Sequence, residues 1–323
     1  MPALDMPIKE MEKYLGSNIK PNDFDYYWNE QIKRADEINL EYKIIKKEFK
    51  NKKANYYEIK FKGIDGANIY AKYICPSANG KFPTVLEFHE YKEASRGWHH
   101  LTRYIGLGYA VLAMDCRGQG GKSEDLGGVI GSTVGGHIIN GLDDNIDKMY
   151  YRKVYLDAYI LSRIANELPK TDINKLITFG KGQGGTLSLV VASLNKNIKK
   201  CSTLYPFLSD FKRVWDMDLD IDAYEGIRYY FRWFDPMHIN EEKIFEKMGF
   251  IDAVNFAPRL NCELLMGTGL LDNISPPSTQ YAIFNSATCE KKHVIFHKYG
   301  HELINFFENE NLKFMKFKAS ENK

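Results

Sequence analysis

The chain has 323 residues, 44% of them hydrophobic and 14% aromatic, enough to build one large core with an inserted cap. Against 44 Lys and Arg stand 42 Asp and Glu, a formal charge of +2 with the basic residues scattered, which argues against a nucleic-acid or polyanion partner. Five cysteines without metal-ligand spacing read as reduced core thiols, no apolar run reaches the roughly 20 residues of a membrane span, and residues 1–20 lack the basic-then-apolar pattern of a secretion signal, so no membrane partner and a cytoplasmic location are expected.

In chain order, residues 23–38 carry Phe24, Trp28, Ile32 and Ala35 on one face, an amphipathic helix capped at Asn22 or Asp23. Residues 40–49 and 56–76 alternate in the strand manner, with a turn at Gly63-Ile64-Asp65-Gly66. They predict an antiparallel start to a sheet, with a separate small β domain as the alternative. Residues 83–89 and 109–115 are near-continuous apolar strands around a short helix at 98–107, the signature of a parallel sheet covered on both faces. Residues 150–168 place Val154, Ala158, Leu161, Ala165 and Leu168 on one helical stripe.

Residues 175–190 organise the rest. Leu176, Ile177 and Phe179 form a buried-type strand, Gly180 to Gly185 a tight turn, and residues 186–194 resume at helical spacing. Another strand is expected at 200–207. Residues 209–256 then break the rhythm with Trp215, Tyr224, Tyr229, Tyr230, Phe231, Trp233 and Phe234 among acidic residues, either a cap over the site or an oligomer contact. Strands at 263–268 and 293–297 follow, each leading into a polar loop. The expected organisation is a single domain over 1–323, with 209–256 inserted after the sixth strand and helices on both faces of a mostly parallel sheet.

Strand, sharp turn and helix at 175–190 form the frame of a nucleophile elbow, Gly-x-Ser-x-Gly, with Gly180 and Gly184 at the glycine positions and Gly182 where the serine belongs. In an α/β-hydrolase, nucleophile, acid and histidine follow in that order, each after its own strand. Gly182, Asp272 and His301 occupy those places. A phosphate-binding loop is excluded because no Gly-Lys-Ser/Thr follows a four-residue spacer, and Gly180, Gly182 and Gly185 match a dinucleotide fingerprint only as a lone motif late in the chain.

The motifs Phe88-His89-Glu90-Tyr91, Arg96-Gly97-Trp98, Met114 to Gly121, Gly136-His137, Tyr150-Tyr151-Arg152, Gly269 to Asp272 with Pro276-Pro277, and Tyr299-Gly300-His301 run through nearly the whole chain. On them the chain resembles the acetyl xylan esterase and cephalosporin C deacetylase family of carbohydrate esterases. The resemblance implies Asp272 as triad acid, His301 as triad base, the amides of Tyr91 and Gln183 as oxyanion hole, and a hexameric homo-oligomer. It also implies a small acetylated carbohydrate or acetyl ester as substrate, and no metal or organic cofactor. The chain departs from the family at Glu90, commonly glycine there, and at Gly182. It therefore reads as an inactive form of a serine esterase, more simply explained by an introduced substitution than by natural loss. The alternative is a natural, non-catalytic carbohydrate- or ester-binding protein. On the first account Gly182→Ser restores hydrolysis with no other change.

Overall fold

The computed structural model describes residues 4–130 and 135–317. The chain opens with an antiparallel meander of β1 (Tyr42–Lys47), β2 (Ala54–Lys62) and β3 (Asn68–Pro76), which joins the remaining strands rather than forming a separate β unit. β4 (Phe82–Phe88), β5 (Ala110–Met114), β6 (Thr171–Lys181), β7 (Ile198–Leu204), β8 (Glu263–Gly269) and β9 (Lys291–Phe296) complete one sheet of nine strands in the order β1-β2-β3-β5-β4-β6-β7-β8-β9. From β5 to β9 every pairing is parallel. This is the α/β-hydrolase architecture.

Burial follows that topology. All five residues of β5 are buried, as a strand covered on both faces requires, whereas the edge strand β1 is largely exposed and carries Lys43, Lys46 and Lys47, charges that discourage edge-to-edge pairing. The helix Tyr150–Glu167 is more deeply enclosed than its single apolar stripe predicts, because the helix Phe24–Glu37 lies across its outer side. Trp28 packs against Tyr155 with ring centroids 6.0 Å apart, and its indole N–H donates to the Phe250 carbonyl at 2.8 Å. Trp28 is wholly buried, and truncating such a residue to alanine costs about 3–5 kcal/mol.

The 209–256 segment leaves the sheet after the seventh strand in chain order, one later than counted from the sequence, because the Gly63–Gly66 turn divides residues 54–76 into two paired strands, β2 and β3. It carries helices Phe211–Asp216, Glu225–Trp233 and Glu241–Met248. Its aromatics divide. Phe231 and Phe245 pack with Trp215 in an inner cluster, at centroid distances of 4.8 Å for Trp215 to Phe231 and 5.8 Å for Phe231 to Phe245, while Trp233, Phe234, Met237 and Ile239 are exposed. At its neck the Ala253 amide donates to the Leu208 carbonyl at 2.8 Å.

Candidate active site

The parallel strands end at one rim of the sheet, where an open α/β sheet places its chemistry. β6 reaches that rim at Lys181, turns at Gly182, and continues at once as the helix Gln183–Leu194. Space explains the flanking glycines. A Cβ on Gly180 would lie 2.2 Å from the Gly184 carbonyl carbon, and one on Gly184 would lie 2.1 Å from the Phe88 carbonyl oxygen. Gly182 itself has φ 51° and ψ −120°, a conformation glycine adopts freely and other residues only with strain. Its amide donates to the Leu204 carbonyl at 3.0 Å and its own carbonyl accepts from Thr186 at 3.1 Å, so the apex is tied to β7 and to the helix.

Asp272 follows β8 and is fully buried. Its Oδ1 accepts from the amides of Ile274 and Ser275 at 2.9 and 2.8 Å, and its Oδ2 from Gln280 Nε2 at 3.3 Å, which fixes the carboxylate before it meets any partner. His301 follows β9, and its Nδ1 lies 2.9 Å from Asp272 Oδ2 while its ring packs against Tyr205 at the end of β7, with centroids 4.2 Å apart. The other ring nitrogen faces the elbow: Nε2 would lie 3.2 Å from a Cβ on Gly182. Acid, histidine and elbow apex, inferred from chain order alone, are therefore brought together.

The volume beside Gly182 is held by Glu90. Its Oε2 would lie 2.1 Å from a Cβ at 182 and stands 3.7 Å from His301 Nε2. A side chain at 182 therefore requires the Glu90 carboxylate, the far end of a flexible side chain, to turn away. Between the two carboxylates the imidazole is held charged. Burial opposes that charge, yet the hydrogen bonds and charges of Asp272 and Glu90 outweigh it and push the His301 pKa up to about 9. The hydroxyls of the elbow helix do not reach the apex: Thr186 donates to the Phe207 carbonyl and Ser188 to the Gly184 carbonyl.

Tyr91 follows Glu90 in the loop after β4, and Gln183 is the first residue of the elbow helix, next to the apex. Among the described residues neither backbone amide makes a turn, loop or cap hydrogen bond. His89 orients the first of them. The Cys116 amide donates to His89 Nε2 at 2.9 Å, so Nδ1 carries the proton and donates to the Glu90 carbonyl at 2.7 Å. In a planar trans peptide the Tyr91 N–H then points away from His89. Gln119, from the Arg117-Gly-Gln-Gly-Gly121 run, exchanges two side-chain hydrogen bonds with Gln183, at 2.7 and 3.1 Å, and accepts from the Lys92 amide at 3.1 Å. It clamps the elbow to the loop after β4. The run is anchored by buried Arg117, paired twice with Asp157 at 2.7 Å. The sequence signalled the motif but not these roles for His89 and Gln119, and it marked Glu90 only as a departure.

Among the described residues no group of three or more His, Cys, Asp or Glu could hold a metal ion, and no helix is long and apolar enough to cross a membrane. The sheet order, with a strand-to-helix turn at Gly182, is that of an α/β-hydrolase. The chain belongs to the acetyl xylan esterase (AXE1) family, whose model matches residues 1–319. It is 42% identical to acetyl xylan esterase 1 from Thermoanaerobacterium sp. JW/SL YS485, whose solved structure superposes with a TM-score of 0.94 over 96% of this chain and 98% of that one. The acetyl xylan esterase of Paenibacillus sp. R4 is 28% identical, with a TM-score of 0.92 over 96% of this chain and 99% of that one. Acetyl esterase Axe7A of Xylanibacter ruminicola is 28% identical over 285 residues, 85% of this chain, and the chain spans only 62% of the length of that protein.

Proposed function

We propose that the chain presents an acetyl-ester site for small acetylated sugars, or for cephalosporin-like acetyl esters, in which the acyl-serine route cannot run. The observation that carries this is the Asp272–His301 pair at 2.9 Å with Nε2 aimed at the elbow apex. In the serine-bearing arrangement, residue 182 attacks the acetyl carbon and His301 takes its proton. Asp272 orients the imidazole, and the amides of Tyr91 and Gln183 receive the developing oxyanion. With glycine at 182 there is no oxygen to acylate, and loss of a triad nucleophile lowers turnover by several orders of magnitude. The names of the relatives support acetylated carbohydrate as the substrate class.

The Glu90 carboxylate in the apex volume favours two linked natural changes over a single introduced one, and it keeps a non-catalytic ester-binding protein as the second reading. The two are separated by the variant Gly182→Ser/Glu90→Gly, assayed with 4-nitrophenyl acetate and butyrate. The first reading expects acetate hydrolysis to rise on the order of 10³-fold or more, with acetate preferred to butyrate. A folded double variant that stays inert beside an equally inert unaltered chain overturns the first reading.

The same proposal includes one domain with an inserted segment and a homo-oligomer, a hexamer on the family's pattern. The exposed side chains of Trp233, Phe234, Met237 and Ile239 support the oligomer, and sedimentation as a monomer at micromolar concentration refutes it. Five free cysteines, four of them buried, support a reducing, cytoplasmic setting.

A further inference from the structure

Glu90 has no part in the acyl-serine scheme, yet its carboxylate stands where that chemistry would occur. A serine hydroxyl at 182 would lie one bond beyond a Cβ, and Oε2 of Glu90 lies 2.1 Å from that Cβ position. The oxygen that the elbow lacks in its own residue is therefore supplied, approximately in place, from the loop after β4. The His89 hydrogen bond to the Glu90 carbonyl anchors the backbone from which this side chain reaches, and only about a fifth of the side chain is exposed.

We propose that Glu90 and His301 act as a carboxylate–imidazolium pair that hydrolyses acetyl esters by direct attack of water, with no acyl-enzyme. The inference rests on the acetyl-ester reading above. Water between Glu90 and the acetyl carbon gives a proton to Oε2 as its oxygen bonds to that carbon, and the carbonyl electrons move onto the oxygen facing the Tyr91 and Gln183 amides. Collapse of this intermediate breaks the bond to the alcohol oxygen, which takes the proton from His301 Nε2. Glu90 then returns its proton to His301 across the 3.7 Å gap. One water is consumed, acetic acid and the alcohol leave, and both residues regain their starting states.

The surroundings of His301 fit this division of labour. Asp272 faces Nδ1 from the loop after β8, Glu90 faces Nε2, and the Tyr205 ring covers one side from the end of β7. The cations lining the adjacent cavity are themselves engaged: Lys181 pairs with Glu308 at 2.6 Å, Arg103 with Glu87 at 3.0 Å and Arg96 with Glu93 at 3.3 Å. An imidazole flanked by two carboxylates is poorly suited to accept a serine proton at neutral pH. It is well suited to donate one to a leaving alcohol.

The test uses acetate release from peracetylated xylose between pH 5 and 10, for the unaltered chain, Glu90→Gln and Gly182→Ser/Glu90→Gly. The unaltered chain is expected to exceed the buffer rate, and Glu90→Gln to lose on the order of 10²-fold with its melting temperature kept. The unaltered rate should fall above pH 9, where His301 gives up its proton, whereas the double variant should gain rate with pH because it needs the neutral ring. The proposal is overturned if Glu90→Gln equals or exceeds the unaltered chain, if the falling limb is absent, or if turnover in ¹⁸O-water labels the Glu90 carboxylate, which would mean covalent attack. An inert unaltered chain beside an active double variant overturns it while the acetyl-ester reading stands. If both are inert though folded, the acetyl-ester reading itself fails.

Discussion

The two halves of the site were treated differently by this sequence. On one side Asp272 and His301 stand as the family motif places them, with Asp272 accepting from two backbone amides, Gln280 and the histidine. On the other, Glu90 and Gly182 meet at one point, a carboxylate oxygen 2.1 Å from where a Cβ on residue 182 would be. One half is held by a dense net of hydrogen bonds that leaves little freedom for change. The other rests on two side chains facing a shared volume, where a loss at one position can be filled from the other. A glycine at the apex is therefore not the same as an empty site.

The largest effect that can break this comparison is the gap between Gly182→Ser alone and Gly182→Ser/Glu90→Gly. Serine at φ 51° re-imposes about 1–3 kcal/mol of strain in both, so stability should hardly separate them. Activity should. In Gly182→Ser the Glu90 carboxylate must leave its place beside Nε2 to admit the serine, and whenever it returns it displaces the hydroxyl and favours the charged His301 ring. The single variant should accordingly trail the double at pH 7, in esterase rate on 4-nitrophenyl acetate, and the gap should narrow as pH rises. Equal rates at pH 7 would make Glu90 a bystander. A direct check is the His301 titration by NMR: Glu90→Gln should lower its pKa, because burial still opposes the charge and one of the two partners that outweigh burial has gone.

The hydrogen-bonded half should answer in stability instead. Asp272→Ala leaves the Ile274 and Ser275 amides and the Gln280 side chain without their acceptor in a fully buried setting, a cost of about 1–3 kcal/mol for such groups. Glu90→Gln, partly exposed and without a comparable net, should stay within about 0.5 kcal/mol of the unaltered chain at pH 10, where His301 is neutral in both. Denaturant unfolding of the two variants measures this, and similar losses in both would remove the distinction drawn here.

Much of this was legible before any coordinates. The glycines from Gly180 to Gly185 announce a sharp turn, although the structure confines it to Gly182, with Gly180 ending the strand and Gly184 already in the helix, and Asp272 and His301 each follow an apolar run that ends at the rim of the parallel sheet. These are local signals. The reach of Glu90 across to Gly182 is not, because it depends on β4 and β6 being neighbours and on which way one side chain turns. The hydrogen bonds of His89 and Gln119 were hidden for the same reason: residue type shows a donor and an acceptor, and only the fold shows to whom. In 209–256 the aromatic crowding was visible, but the division into the inner Trp215, Phe231 and Phe245 and the exposed Trp233 and Phe234 required the helices to be placed.

The smallest expected effect lies at the neck of that inserted segment, where a buried carboxyl is displaced from its usual titration. Asp252 is fully buried, and desolvation, reinforced by the charge of Asp210, raises its pKa from 3.8 to about 8. Its Oδ1 accepts from the Val254 amide at 2.9 Å, a cap that asparagine provides equally well. The sign follows from proton binding. Between pH 4 and 8 the folded state keeps a proton that the unfolded state has released, so the contribution of Asp252 to stability declines across that window and is flat above it. Asp252→Asn removes that decline. The variant should match the unaltered chain near pH 4 and melt a few degrees higher at pH 8, with acetyl-ester hydrolysis unchanged at either pH. Melting curves at the two pH values, beside the rate, contrast a shifted acid that governs only stability with Glu90, which should govern only rate. A loss of hydrolysis in Asp252→Asn would place the neck within the working site and erase the boundary between them.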